Sequence, residues 1–261
     1  MIDDIRFVRS GIDAGGAVSV AWEMVKAKYG LYLGLVLLTY ILIACIPCVN
    51  VFIMGPVMGG FAYFVLRDMR DEPVEFGMLF KGFEKFVPLM VIGLIQSIPG
   101  IVIQIVQYTV RFAQLGLGNR GSGDLDFFQA SDLSPYFSGG ALIVLIIVAI
   151  VVMILSLLWW ACLFFAIPLA MEHDLGPIDA IKLSSRAALS NLGGLIVLII
   201  LSVLIGLVGM LLICVGLFLI SLPVVFTANV VVYRQVFPWV EKNFNMTPPP
   251  PTVYGDFGRG M

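Results

Sequence analysis

Charge is scarce in this sequence. Only 12% of its 261 residues are Asp, Glu, Lys or Arg, about half of the roughly 25% usual in soluble domains, and that scarcity excludes a water-soluble globule. Histidine is nearly absent, with His173 alone, whereas a metal centre needs three or four converging ligands. Excess positive charge is missing too: 15 Lys and Arg stand against 17 Asp and Glu. A nucleic-acid binder would show a basic face, so that partner class is set aside. The start, Met1-Ile2-Asp3-Asp4, has neither the basic segment nor the early apolar core of a cleavable signal peptide, so the first span is expected to remain in the mature protein.

What the chain has is hydrocarbon. Apolar residues make up 60% of it and mean hydropathy is +1.04. Four stretches carry no charge or histidine: Tyr29 to Leu66, Phe86 to Val110, Leu133 to Met171 and Ala187 to Tyr233. About 20 helical residues cross a hydrocarbon layer of roughly 30 Å. The 38 residues of the first stretch and the 47 of the last therefore each predict a hairpin of two helices. The first hairpin turns at Ile46-Pro47-Cys48-Val49-Asn50, and the second turns between Gly209 and Gly216. The expected architecture is all-α, with six transmembrane helices over about 31–47, 50–67, 87–110, 141–170, 192–211 and 215–235. Residues 1–29 form an N-terminal arm, 30–240 the membrane domain and 241–261 a proline-rich tail. With both termini cytoplasmic, 13 of 15 basic residues fall inside, as retention of Lys and Arg on that side requires.

The hairpins share an internal pattern. Pro56 precedes Arg67 by eleven residues and Pro223 precedes Arg234 by eleven. Each hairpin follows a short amphipathic stretch: Ala17 to Lys28, with Val18, Ala21, Trp22 and Val25 apolar, and Ile178 to Ser190, with Ile181, Ala187 and Leu189 apolar. Phe76 to Lys85, with Leu79, Phe80 and Phe83, repeats the outline before spans three and four. Three helix-plus-hairpin units in one orientation predict parallel repeats about an axis along the membrane normal.

Several of these features carry a family resemblance. The Trp22 segment, the hairpin return Gly55-Pro56-x-x-Gly59-Gly60 ending in Arg67-Asp68, and Phe76-x-x-Leu79-Phe80-x-Gly82-Phe83 are followed by Ala180-Ile181-x-x-Ser184, Asn191 and the closing span Pro223 to Tyr233. Together they resemble the prokaryotic membrane families called YciC-like, DUF975, and the membrane domain attached to some glycerophosphodiester phosphodiesterases. The resemblance covers roughly residues 15–240 and implies a six-helix bacterial inner-membrane fold with little chemistry of its own. The phosphodiesterase catalytic domain has no counterpart here.

Candidate chemistry is sparse. Cys45-Ile46-Pro47-Cys48 places a Cys-x-x-Cys pair at the outer end of the first hairpin, readable as a helix-end disulfide between Cys45 and Cys48 or as a thiol oxidoreductase pair. His173, between Glu172 and Asp174, is read as a solvated triplet at the inner end of span four. Proton-coupled transport through a buried carboxylate is disfavoured, since no Asp, Glu, Lys, Arg or His lies in the interior of a span. Gln96, Ser97, Gln104 and Gln107 share one face of span three and are candidates either for a polar path or for hydrogen bonds to neighbouring helices. Gly30 with Gly34 and Gly55 with Gly59 are candidate close-packing pairs, and Trp159-Trp160 is a candidate surface for a partner or a lipid tail. In the tail, Pro248, Pro249, Pro250 and Pro251 predict either a polyproline rod suited to docking in an aromatic groove or a plain disordered end.

The expected function is therefore non-catalytic: an integral membrane scaffold or accessory subunit that binds lipid, a membrane protein complex or a second copy of itself, without a cofactor. A passive solute or lipid conduit is the alternative, and thiol redox chemistry at Cys45 and Cys48 a third reading.

Overall fold

The computed structural model describes residues 7–44, 50–117, 139–211 and 216–239. The described residues are helical, without a strand. Five helices are long and apolar enough to cross a membrane, and six if the bent pair at the N-terminus is counted as one span. Helical hydrogen bonds satisfy the backbone within each segment, the condition that hydrocarbon imposes on any crossing chain.

Helix α1 (Ala14–Ala27) starts at Asp13, whose carboxylate accepts the Gly16 N–H at 2.9 Å and so satisfies one otherwise unpaired donor of the first turn. The chain then bends by 102° into α2 (Tyr29–Ala44). After α3 (Asn50–Asp68) a 3-10 helix over Phe76–Lys85 leads directly into α4 (Phe86–Leu117). Next come α5 (Gly139–Leu163), α6 (Ala166–His173), α7 (Pro177–Ser190) and α8 (Leu192–Leu211). A π-helical turn over Leu217–Ser221 precedes α9 (Leu222–Val236).

Burial separates the spans into centre and periphery. Over half of α3 and of the segment Leu217–Val236 is buried (56% each), against 11–17% for the segments containing α4, α5 and α8. The two central helices are those with the matched proline-to-arginine spacing. Close packing at the centre is made by glycine. A Cβ on Gly60 would lie 1.7 Å from the Leu79 carbonyl oxygen, and one on Gly82 would lie 1.9 Å from that of Pro56. The 3-10 helix therefore rests on α3 backbone to backbone, a contact no larger residue permits.

Three local features lie outside the sequence pattern. The helix of the span expected over 141–170 is broken locally at Phe164-Phe165, between α5 and α6, inside a segment, Ile146–His173, that is long and apolar enough for one crossing. Pro168 has no N–H for the Phe164 carbonyl, and the break is closed by Ser184, whose Oγ accepts the Phe165 N–H (3.1 Å) and donates to the Cys162 carbonyl (2.7 Å). The helix of span three runs past 110, with α4 continuing through Arg111 to Leu117. The buried seam of α1 is Ala14, Ala17, Ala21 and Val25, and Trp22 is 43% exposed. Small side chains, not the largest apolar ones, face α9, because they allow the shorter axial distance.

The segment before α1 is tied down as well. Val8 N–H donates to the Val236 carbonyl (2.9 Å). Asn191 accepts from Gly11 N–H (3.0 Å) and donates to the Val8 carbonyl (3.0 Å). Gln235 exchanges two hydrogen bonds with the Asp13 backbone.

Candidate functional site

Ionisable side chains gather where α1, α3, α6 and α9 end. Glu172, at the end of α6, is the hub. Its Oε1 accepts from Arg234 Nη2 at 2.6 Å and from Arg70 Nη2 at 3.2 Å, while its Oε2 accepts the Tyr233 hydroxyl proton at 2.6 Å. Arg234 also donates to the Phe237 carbonyl (3.1 Å) and lies 4.4 Å from the Trp239 ring centroid. The Glu172 and Arg234 side chains are only 14% and 8% exposed. This corrects the reading of Glu172-His173-Asp174 as a solvated triplet: Asp174 alone is largely exposed, at 80%, and even it pairs with Lys85.

A second, smaller cluster joins the ends of α1 and α3. Asp68 accepts from Lys28 Nζ and, at 2.6 Å, from the Tyr32 hydroxyl. Arg67 pairs with Glu72 nearby. Both oxygens of Glu172 and both of Asp68 accept from donors. Among the described residues no group of three His, Cys, Asp or Glu side chains is placed to hold a metal ion.

The amide stripe of α4 lies elsewhere. Gln96 and Ser97 are half-buried and Gln104 and Gln107 exposed. Ser97 Oγ returns to the Leu94 carbonyl at 2.8 Å, whereas Gln96, Gln104 and Gln107 have no hydrogen-bond partner among the described residues. Two shallow apolar grooves are present on the described surface. Neither is lined by any of the four.

The first groove, of about 250 Å³, runs between α4 and α5 along Ile98, Val102, Val152, Leu155 and Trp159. Its floor has a chemical reason. Pro99 lacks the N–H that would satisfy the Ile95 carbonyl, and the Trp159 indole N–H of α5 donates to that oxygen at 3.0 Å. Trp160 instead packs edge-on against Phe164, with centroids 4.8 Å apart.

The remaining candidates are dispersed. Gly55 and Gly59 abut Leu89 of α4, and Gly34 abuts the Phe76 ring, but a side chain on Gly30 would meet open space. Pro56 is buried inside α3, and Pro223 is buried in the first turn of α9. Cys45, Cys48 and Pro248, Pro249, Pro250 and Pro251 lie outside the described residues. Sequence reasoning missed the Glu172 hub, although Tyr233-Arg234 beside a lone interfacial acid was a legible signal. No protein-family model matches this chain, nor does any curated protein or solved structure.

Proposed function

We propose that this protein is a multi-pass bacterial inner-membrane protein with both termini in the cytoplasm, and that it is a non-catalytic scaffold or accessory subunit binding protein or lipid through its helix faces. One observation carries the reading. From Ile146 to Leu155, nearly three turns of α5, every residue is exposed among the described residues, so most of this helix surface is left uncovered by them, apart from the groove it shares with α4. The shielded charges Asp68, Glu172 and Arg234, by contrast, are closed into pairs. The surface that remains for interaction is therefore helix surface, and its medium is lipid or another membrane segment.

The basic-residue distribution supports the orientation, and the resemblance to the YciC-like group agrees with six spans arranged as three hairpins preceded by amphipathic helices. Residues 245–261 would add a docking segment on the cytoplasmic side. The test is native mass spectrometry of the protein ejected from its own membranes, with and without residues 245–261. A retained protein subunit or stoichiometric phospholipid is expected. Bare chain in both forms would contradict the reading.

A further inference from the structure

The face of α4 that carries its amides has no partner among the described residues, and its chemistry is specific. At 3.6 residues per turn Gln96, Ser97, Gly100, Gln104 and Gln107 fall within an arc of about 100°. Measured from Phe86 at the helix start, Gln96 lies about 15 Å along the axis, Gln104 about 27 Å and Gln107 about 32 Å. The stripe thus runs from the middle of a hydrocarbon layer to its outer edge. Within hydrocarbon an amide without a hydrogen bond is costly, most of all for Gln96 at mid-layer, and Gln96, Gln104 and Gln107 have none among the described residues. Between them Gly100 has no described atom within 4 Å of where a Cβ would stand. A glycine that no described residue approaches leaves room for a second backbone.

We propose that this face seats the α4 of a second copy of the chain, in a two-fold dimer whose axis lies along the membrane normal. The inference rests on the membrane reading above and names the partner of one helix face. Such an axis sets every residue of the stripe against its own counterpart at the same depth. An amide donates and accepts, so it can pair with an identical amide; a lone carboxylate or ammonium could not. Gly100 at the crossing gives the close approach that helix association in lipid depends on. The exposed face of α5 lacks these features: between Ile143 and Leu155 it offers only apolar side chains, for which lipid tails are an equal partner.

A water-lined path along the same amides is disfavoured by the lower half of α4. Below Gln96 that face is shut: Leu89 and Ile92 are fully buried, and a Cβ on Gly93 would lie 2.9 Å from the Gly55 backbone nitrogen.

Disulfide cross-linking in native membranes tests the dimer. In a chain with Cys45, Cys48, Cys162 and Cys214 changed to serine, single cysteines are placed on the stripe (Gly100→Cys, Gln104→Cys, Gln107→Cys) and opposite it (Ile98→Cys, Val102→Cys, Ile105→Cys). Mild oxidation should yield a covalent dimer at least ten-fold more abundant for the stripe set. Equal cross-linking in both sets would overturn the proposal. So would an adduct of another mass, which identifies a different partner, or labelling of Gly100→Cys by a membrane-impermeant maleimide without a dimer, which identifies a water path. Independently, with all native cysteines retained, photobleaching of labelled chains in liposomes should count two steps for the wild type and one for Gly100→Leu, at a position where a Cβ has no described atom within 4 Å. One step for both overturns the dimer. If a different membrane protein is still retained on ejection from the membrane, only the second copy is removed and the helix-face reading stands.

Discussion

Glu172 and Arg67 show how burial sets the worth of a charge. Glu172 is shielded and answers Arg234, Arg70 and Tyr233 together, so its removal leaves the mostly buried Arg234 guanidinium without a counter-charge. We predict that Glu172→Ala lowers stability by about 3–5 kcal/mol, the usual cost of breaking a buried pair from one side. Arg67 and Glu72 are each about a third exposed (33% and 35%), and Arg67→Ala should cost far less than Glu172→Ala because water screens the pair. Denaturant titration of the purified protein in detergent measures both. Equal losses for the two variants would mean that the Glu172 hub is not the buried anchor described here.

At the scale of the element, α4 and α5 share an interhelical hydrogen bond, from Trp159 to the Ile95 carbonyl, that exists because of a proline. Trp159→Phe removes the donor to the Ile95 carbonyl and should cost about 0.6–1.7 kcal/mol, the range for such bonds in membrane bundles. Pro99→Ala restores a backbone N–H to that carbonyl, so in its background Trp159→Phe should cost measurably less. A double-mutant cycle reads the difference directly. Additive losses would show that the indole contributes only packing. The proline inside span three was plain in the sequence, and so was Trp159. Their partnership was not, because 60 residues separate Pro99 from Trp159 and nothing local couples them.

For the molecule as a whole, the threading makes one measurement decisive. Reporter tags at Gly121 and at the C-terminus should report opposite compartments if six spans carry both ends to the cytoplasm. The same compartment for both would remove the orientation and, with it, the outer position of Gln104 and Gln107.

The sequence by itself called for an all-helical chain with six spans, and the described residues are helical with five to six segments able to cross a membrane. It also determined that no acid or base interrupts those segments. Both follow from solvent: hydrocarbon demands unbroken apolar runs of a fixed length, and such runs are visible in one dimension. Which faces meet, and which charges pair, only the tertiary structure decided. In a soluble helix the buried face stands out as apolar against a polar remainder, but here both faces are apolar and periodicity marks neither. The buried seam of α1 is alanine, while Trp22, the residue a hydrophobicity pattern selects first, is left exposed. Glu172 finds Arg70 and Arg234 at separations of 102 and 62 residues. No spacing rule spans such distances; the packing of α3, α6 and α9 does.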